Sequence, residues 1–330
     1  MVAQPDRQVI DVHTHFGPDA AEAVARIMDM NGLARVVNLG MLEELSIPFE
    51  EGLQALRRVL GARMVYFATP DFRDNAPGFG ERMAKDLERK VHLGAGGLKI
   101  FKGLGLRYRD HEGRLIPVDD PRLDPLWAKA GELGVPVLIH TADPLAFFGP
   151  LDEHNERWEE LQLNPDWHFG RPGFPGHDEL LEQRNRVLAR HPGTTFIGAH
   201  LGEYPENLPY VDTCLERYPN FCVDVCARIG EIGRHPAEEA RAFFIKHQDR
   251  VLFGTDLVLE PGEAEKVDLA EIKRFYDLHW AFFETDESQI EHPGYPIQGR
   301  WKVDAIGLPP DVLDRLYRRN ALRVIPALSA

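Results

Sequence analysis

Residues 9–15 read Val-Ile-Asp-Val-His-Thr-His, and this stretch has the β-branched residues and alternating spacing of a β-strand. Residues two apart share one face of a strand, so His13 and His15 project to the same side. Seven more short segments rich in Val, Ile, Leu or Phe follow, at residues 34–39, 64–68, 97–101, 135–140, 195–200, 221–225 and 251–255. The sequence therefore predicts eight strands, the first of which ends in a pair of histidines.

Amphipathic helical patterns separate the predicted strands. Apolar residues recur three or four positions apart, and several patterns begin near a proline and stop at a glycine or proline. The predicted helices are residues 20–30, 51–60, 80–92, 121–133, 178–190, 205–218, 236–247 and 310–324. Strands that each precede a helix pair in parallel through right-handed crossovers. The sequence therefore predicts the α/β class and a (β/α)8 TIM barrel, as one domain over residues 1–330.

Three insertions lengthen the predicted barrel. They follow the fourth strand (residues 102–120), the fifth strand (residues 141–177) and the eighth strand (residues 256–308). All three lie at the carboxyl ends of strands, which is the barrel face that carries activity in enzymes of this architecture. We therefore expect a functional site at this face.

The charge balance limits the classes of partner. The chain has 38 Lys and Arg against 53 Asp and Glu, a net charge of −15. This excess of acidic residues argues against binding to nucleic acids and to anionic membranes. Three cysteines are too few for a disulfide framework and are predicted to be buried free thiols. No signal peptide or membrane-length apolar run is apparent, which predicts a cytoplasmic protein with a small-molecule substrate and leaves a homo-oligomer open.

Four further predicted strands carry polar side chains of the metal-ligating or catalytic kind at their carboxyl ends. These side chains are Lys99 on the fourth strand, His140 on the fifth, His200 on the sixth and Asp256 after the eighth. Barrel strands are buried on both faces, so such endings on several strands are unlikely to arise by chance. Neutral imidazoles with a carboxylate suit zinc, manganese or iron, and an open coordination position makes such a site catalytic.

The ordered motifs resemble the amidohydrolase superfamily, in its amidohydrolase-related branch of metal-dependent hydrolases and non-oxidative decarboxylases. The resemblance lies in the HxH of the first strand and in GLKIF, VLIHTAD, FIGAHLG, LFGTDL and RRNALRV. It implies one or two divalent transition ions, with zinc expected first and manganese or iron as alternatives. It also implies a first metal with four ligands, which are His13, His15, His140 and Asp256.

The resemblance also implies the chemistry. A bound metal lowers the pKa of water towards about 7. Asp256 would take the proton of this water and pass it to the leaving group. His200 would either bind a second metal or polarise the substrate carbonyl. Asp11 is either an acceptor that orients an imidazole or a polar residue of the barrel floor.

The role of Lys99 distinguishes a site with two metal ions from other forms of the site. Burial near the barrel axis lowers the pKa of a lysine, and a neutral amine can react with carbon dioxide. In binuclear members of the superfamily, a carboxylated lysine on the fourth strand bridges two metals, and Lys99 matches that position. The alternatives are that Lys99 pairs with Asp256 or binds the substrate.

Several arginines and aromatic residues are candidate substrate contacts. Arginine suits planar, bidentate recognition of a carboxylate, and tryptophan can form the wall of a pocket. The candidates are Arg107, Arg109, Arg228, Arg300, Trp158, Trp301 and Glu203, and each is also compatible with a surface or packing position. The grouping of lysines and arginines at the predicted mouth favours a small anionic or carboxylate-bearing substrate.

Three functions are compatible with the sequence. The leading hypothesis is a metal-dependent hydrolase that cleaves a C–O or C–N bond at a carbonyl, as in a lactone or an amide. The alternative is a non-oxidative decarboxylase of a hydroxy-aromatic or related acid on the same scaffold. A non-catalytic barrel that serves as an interaction protein is disfavoured, because the histidines and Asp256 occur together.

Overall fold

The computed structural model describes residues 8–262 and 264–329. In this part of the chain nine parallel strands form one sheet, in the order β8-β7-β6-β5-β4-β3-β2-β1-β9. The strands are β1 (Val9–Phe16), β2 (Leu33–Leu39), β3 (Met64–Ala68), β4 (Gly97–Ile100), β5 (Val137–Ile139), β6 (Phe196–Gly198), β7 (Phe221–Asp224), β8 (Val251–Leu252) and β9 (Leu257–Leu259).

The two ends of this order meet, because β8 and β9 are consecutive pieces of the chain. Val12 donates its backbone N–H to the carbonyl of Phe253 (3.0 Å), and Asp256 donates its N–H to the carbonyl of His13 (2.9 Å). β8 and β9 are therefore two halves of an eighth barrel position. The backbone is interrupted there because Asp256 has a left-handed φ of 63°, which a regular strand does not accommodate. The predicted barrel is confirmed, with its eighth strand divided in two.

A long helix follows each barrel strand in the described residues. The eight helices are α1 (Ala21–Asn31), α2 (Phe49–Leu60), α3 (Phe79–His92), α4 (Asp124–Glu132), α5 (His177–Arg190), α6 (Leu208–Arg217), α7 (Ala237–Lys246) and α8 (Leu269–Glu284). Single helical turns in the loops after the strands cover Met41–Glu44, Gly103–Leu106, Trp158–Leu163, Ala199–Gly202 and Ile229–Ile232.

The position of the eighth helix corrects the sequence prediction. Residues 310–324 are predicted as the helix after the last strand, but α8 lies against α1 and occupies that place in the ring. Asp268 caps α8 by accepting the N–H groups of Ala270 and Glu271. The long final insertion therefore contains the eighth helix.

The C-terminal segment instead closes the bottom of the barrel. It consists of α9 (Pro310–Asp314) and α10 (Asn320–Val324), joined by a π-helical turn at Arg315–Arg319. Ala321, Val324 and Leu328 pack against the apolar side chains inside the barrel, which are Ile10, Val12, Val37, Leu39, Val65, Phe67, Leu138, Ile197, Ala199, Cys222 and Leu252. This plug leaves the opposite end of the barrel as the open face.

The three cysteines, Cys214, Cys222 and Cys226, are free and buried, as predicted. Among the described residues, no helix has both the length and the apolar character that crossing a membrane requires.

Candidate metal centre

Two histidines of β1 and the aspartate of the interrupted eighth strand converge at the open face. Asp256 Oδ1 lies 3.3 Å from His15 Nε2 and 3.5 Å from His13 Nε2. The three ligand atoms lie within 4.8 Å of one another. The left-handed backbone at Asp256 stores strain of the kind that clusters at functional sites. We call these three residues the HxH cluster.

Hydrogen bonds hold both histidines with Nε2 towards Asp256. His13 Nδ1 bonds Asp224 Oδ2 (2.8 Å), and His15 Nδ1 bonds the carbonyl of Leu39 (3.0 Å). An acceptor at Nδ1 places the proton on that nitrogen and leaves a lone pair on Nε2. Metal-ligating histidines are oriented in this way by carboxylates and carbonyls.

Asp224 is the principal residue that sequence reasoning missed. It is fully buried at the end of β7, and its Oδ1 accepts the backbone N–H of His200 (2.9 Å) and the thiol of Cys226 (2.8 Å). Burial raises the pKa of Asp224, but His13 outweighs that effect and holds it below the ordinary value. The available signal was a single carboxylate in the apolar run FCVDV.

Asp11 fixes the backbone near the HxH cluster, whereas the role of orienting an imidazole falls to Asp224. Oδ1 of Asp11 accepts the N–H groups of His13 and Thr255, each at 3.1 Å. Oδ2 of Asp11 accepts the hydroxyls of Thr255 (2.6 Å) and Tyr276 (2.8 Å). Burial raises the pKa of Asp11 to about 6. Asp11 thus joins β1 to the segment that carries Asp256.

Lys99 lies beside the HxH cluster on β4. Its side chain is fully buried, and Nζ is 3.3 Å from His13 Nε2 and 5.1 Å from the centre of the Phe101 ring. Among residues 8–262 and 264–329, no carboxylate forms an ion pair with it. Burial lowers the pKa of Lys99, although Asp256 acts in the opposite direction.

The predicted ligands at the ends of β5 and β6 form a second group with Glu203, which we call the His140 cluster. His200 Nε2 is 3.3 Å from His140 Nδ1, and Glu203 Oε2 is 3.9 Å from His140 Nε2. The ligand atoms of the three residues lie within 4.8 Å of one another. The structure thus divides the predicted ligands between two clusters.

A left-handed turn shapes the loop that carries His200 and Glu203. The φ angles are 55° at His200, 55° at Leu201, 65° at Gly202 and 67° at Glu203. This conformation costs about 1–2 kcal/mol for each residue other than glycine. Two hydrogen bonds of His200 hold the turn. The backbone N–H of His200 donates to Asp224 Oδ1, and Nδ1 of His200 donates to the carbonyl of Cys226 (3.0 Å).

Burial sets the protonation of these groups. It lowers the pKa of His13, lowers that of His140 to about 4, and lowers that of His200 well below the ordinary value. Burial alone would raise the pKa of Asp256, but His13 and His15 outweigh it and hold that pKa well below its usual range. Burial raises the pKa of Glu203 well above the ordinary value. The imidazoles are therefore neutral and Asp256 is ionised near pH 7.

The HxH cluster fits a divalent transition metal. It offers two imidazole nitrogens and one carboxylate within 4.8 Å of one another, which is a donor set that such ions take in catalytic sites. In addition, the buried His140 Nε2 has no hydrogen-bond partner. Cys226 forms a further group with His13 and His200, but its Sγ already donates to Asp224.

A cavity of about 270 Å³ opens beside both clusters. His140, His200 and Asp256 border it. Its other polar side chains are Lys102, Asp143, Glu160, Arg228, Thr255, His279, His292 and Gln298, and its apolar walls include Phe147, Trp167, Ile229, Val258 and Phe275. The insertions after the fourth, fifth and eighth barrel positions all contribute, as the sequence predicts for the active face.

Arg228 is the arginine that the structure brings to the cavity. It is 5% exposed, and its Nη1 donates to the carbonyl of Ala227 (2.7 Å). In the described part of the chain, no carboxylate forms an ion pair with it. Burial acts to lower the pKa of Arg228, but the negative charges of Glu231 and Asp143 outweigh the effect of burial and keep this pKa above the ordinary value.

The other predicted substrate contacts lie elsewhere. Arg107 and Arg109 line a separate surface groove, where Arg107 pairs with Asp166 (2.9 Å). Arg300 is exposed and pairs with Glu159 (2.5 Å).

The predicted aromatic contacts and Glu203 also fall outside the cavity lining. Trp158 begins a short helical turn outside the lining, and Trp301 donates its Nε1–H to the carbonyl of Gly230 (2.9 Å). Glu203 is 1% exposed and lies behind His140.

Two further residues near the cavity were missed. Asp143 Oδ1 is 3.5 Å from His140 Nε2, and its Oδ2 accepts from Lys102 (2.7 Å), whose ammonium lies 4.3 Å from the centre of the Trp167 ring. His279 is fully buried on α8 and donates from Nδ1 to the carbonyl of Phe275 (2.8 Å). The motif VLIHTAD contained Asp143, but α8 had not been predicted.

A family model described as amidohydrolase matches residues 10–327. The chain belongs to the amidohydrolase family. The family is metal-dependent, in agreement with the donor set of the HxH cluster. No curated protein sequence matches this chain.

Solved structures similar to this amidohydrolase share its fold. The 2,6-dihydroxybenzoate decarboxylase from Rhizobium is 17% identical, with a TM-score of 0.54 over 96% of this chain and 98% of that chain. The 5-carboxyvanillate decarboxylase from Novosphingobium aromaticivorans, complexed with manganese and 4-hydroxy-3-methoxy-5-nitrobenzoic acid, is 14% identical, with a TM-score of 0.54 over 97% of each chain.

A hydrolase is similar to this chain as well. A probable 2-pyrone-4,6-dicarboxylic acid hydrolase from Acinetobacter baumannii, with citric acid bound, is 10% identical, with a TM-score of 0.51 over 97% of this chain and 99% of that chain. The fold is therefore compatible with both reaction types.

Proposed function

We propose that this amidohydrolase is a metal-dependent hydrolase that cleaves a C–O or C–N bond at the carbonyl of a small, carboxylate-bearing substrate, of the lactone or amide type. The observation that carries the proposal is the convergence of His13 Nε2, His15 Nε2 and Asp256 Oδ1 beside a small cavity. A divalent ion bound there, which we propose to be zinc, supplies Lewis acidity and activates water at neutral pH.

Asp256 and His200 are the proposed catalytic side chains, because both border the cavity and the ligand clusters. Asp256 is ionised near pH 7, so a carboxylate oxygen can accept a proton from the attacking water and deliver it to the leaving oxygen or nitrogen. His200 stabilises the negative charge that develops on the carbonyl oxygen.

Lys99 belongs to the same proposal. Its amine lies next to His13 Nε2, and burial favours the neutral form. A neutral amine adds to carbon dioxide by forming an N–C bond and releasing one proton. The carboxylate so formed would add an oxygen ligand beside the HxH cluster, and metal binding by carboxylated Lys99 is the role we propose for it.

Arg228 supports the carboxylate-bearing substrate. A buried guanidinium without an ion-pair partner is costly, and a substrate carboxylate in the cavity would compensate its charge. The planar fork of arginine matches two carboxylate oxygens. The cavity volume of about 270 Å³ limits the substrate to a small molecule.

Non-oxidative decarboxylation of a hydroxy-aromatic acid is the second candidate. It is favoured by the aromatic walls that Phe147, Trp167 and Phe275 give to the cavity. Two of the similar structures are decarboxylases, one acting on 2,6-dihydroxybenzoate and one on 5-carboxyvanillate. Here the metal and Arg228 would hold the acid that loses carbon dioxide.

A substrate panel with an Arg228→Met variant tests this proposal. Zinc-loaded wild type is assayed on lactones with and without a carboxylate and on hydroxybenzoates, while acid and carbon dioxide are measured in parallel. We expect ring opening of carboxylated lactones without release of carbon dioxide. Arg228→Met should lower kcat/KM about 10–100-fold on these lactones and change it little on neutral ones, since one charge-assisted contact is lost.

Arg300→Met is the matched control, because Arg300 is an exposed arginine outside the cavity lining. Equal losses on neutral and carboxylated lactones would remove Arg228 from substrate recognition. Release of carbon dioxide from a hydroxybenzoate, with no lactone opened, would favour the second candidate instead.

A further inference from the structure

We propose that a second cavity, next to the active-site cavity of about 270 Å³, binds the leaving group of the substrate and takes an apolar alkyl or aryl group there. This second cavity, which we call the leaving-group cavity, lies between the interrupted eighth strand and α8 and has a volume of about 290 Å³. The inference rests on the proposed function, because it concerns the group that hydrolysis releases.

The first observation is that the two cavities meet at the catalytic carboxylate. They share four wall residues, which are Asp256, Val258, Phe275 and Pro293. Arg228 borders the active-site cavity but not the leaving-group cavity. A molecule that contacts Arg228 at one end and passes Asp256 therefore reaches the leaving-group cavity with its other end.

The role of Asp256 decides which end of the substrate that is. In the proposed hydrolysis, water forms a C–O bond at the carbonyl carbon, the bond from this carbon to the leaving oxygen or nitrogen breaks, and Asp256 delivers a proton to the leaving atom. The leaving atom must then lie within hydrogen-bond reach of Asp256. With the substrate carboxylate at Arg228, the group attached to the leaving atom extends past Asp256 into the leaving-group cavity.

The second observation is the apolar character of the walls. Leu257, Ile272 and Leu278 line the leaving-group cavity and not the active-site cavity. Val258, which both cavities share, is 44% exposed although it is a large apolar side chain. An apolar leaving group would remove this surface from water, and burial of apolar surface is favourable.

The charged residues of the leaving-group cavity do not call for a charged ligand. Glu271 and Arg274 are both exposed, and Arg274 forms an ion pair with Glu291. Charges that remain in contact with water are solvated and gain little from a further ion pair. The cavity therefore selects for the apolar surface of the leaving group.

A series of leaving groups of increasing length tests this inference. The substrates are alkyl monoesters and N-alkyl monoamides of a small dicarboxylic acid, with methyl, propyl and pentyl groups, and they are assayed with zinc-loaded wild type. We expect kcat/KM to rise about three- to fourfold for each added methylene, the gain that follows from moving a methylene out of water.

A variant that fills the leaving-group cavity should abolish most of this gain. Leu278→Trp places a larger side chain in the wall of that cavity. Leu163→Trp is the matched control, because Leu163 is 69% exposed and lies outside the lining of both cavities. The control should show the same gain for each methylene as wild type.

The outcomes separate the inference from the proposed function. Hydrolysis without a gain for longer groups in wild type, or an undiminished gain in Leu278→Trp, overturns the inference alone. Opening of lactones without cleavage of any monoester or monoamide also overturns it alone, because a lactone has no separate leaving group. Absence of all hydrolysis overturns both. If Leu278→Trp does not fold, Ile272→Trp, which changes the same wall, decides by the same criterion.

Discussion

Replacement of Asp256 by Asn should lower kcat by about 10²–10⁴-fold on the lactones that wild type opens, because the variant loses the group that moves the proton. The amide also replaces the carboxylate that lies 3.3 Å from His15 Nε2, so zinc affinity should fall as well. The loss of kcat should persist at saturating Zn²⁺. The measurement is steady-state kinetics at several zinc concentrations, with folding checked by circular dichroism.

Asp212→Asn is the control, because Asp212 carries the same side chain far from the site and pairs with Lys246 (2.5 Å). Its kcat should match that of wild type. An Asp256→Asn enzyme with unchanged turnover at saturating zinc would remove Asp256 from the proton transfer.

Replacement of Asp224 by Asn should weaken zinc binding at the HxH cluster by about 10–100-fold, the range measured when partners of metal-bound histidines are removed. The amide nitrogen of Asn can donate a hydrogen bond to His13 Nδ1, which then becomes the acceptor. The proton of the neutral imidazole would move to Nε2, the atom that the metal needs. The same tautomer change lowers activity strongly when the aspartate of a catalytic triad is replaced by asparagine.

Zinc titration of metal-free Asp224→Asn, followed by calorimetry, measures this effect. Asp11→Asn is a matched comparison, because Asp11 is also a fully buried aspartate but bonds the backbone of His13 rather than its ring. Asp11→Asn should alter stability more than zinc affinity. A dissociation constant for Asp224→Asn within twofold of the wild-type value would contradict the role given to Asp224.

Local sequence patterns predicted most of the barrel. Apolar runs that end in polar residues marked the strands, since a barrel strand is buried on both faces. The eighth strand was harder, because its interruption depends on the hydrogen bonds that β1 offers to Phe253 and Asp256. The helix α8 has a cap at Asp268 and an apolar spacing that are readable in principle, but its residues lie in the segment that is predicted as the insertion after the eighth strand. The prediction of one domain stays a prediction.

Residues on strand ends could also be placed at the site from sequence. His13, His15, His140, His200 and Asp256 meet at the open face because parallel strands end at one edge. The division into two clusters could not be predicted, since it depends on ring orientations set by hydrogen bonds to Asp224 and to the carbonyls of Leu39 and Cys226. The substrate contacts were harder still to predict. Loop conformation places Arg228 in the cavity and Arg107 and Arg300 at the surface, and composition alone cannot tell a cavity arginine from a surface arginine.

The central claim is that the HxH cluster binds a catalytic metal ion. Its most direct test is a zinc titration of wild type and of His15→Asn, both first prepared free of metal. The His15→Asn variant lacks one donor of this cluster, and the bound zinc per chain is compared between the two proteins. His191→Asn is a suitable control, because His191 lies outside both clusters and contacts Asp124 (3.0 Å). The account predicts one bound ion fewer in His15→Asn than in wild type and in His191→Asn. Wild type that binds no zinc, or His15→Asn that binds as much as wild type, would contradict it.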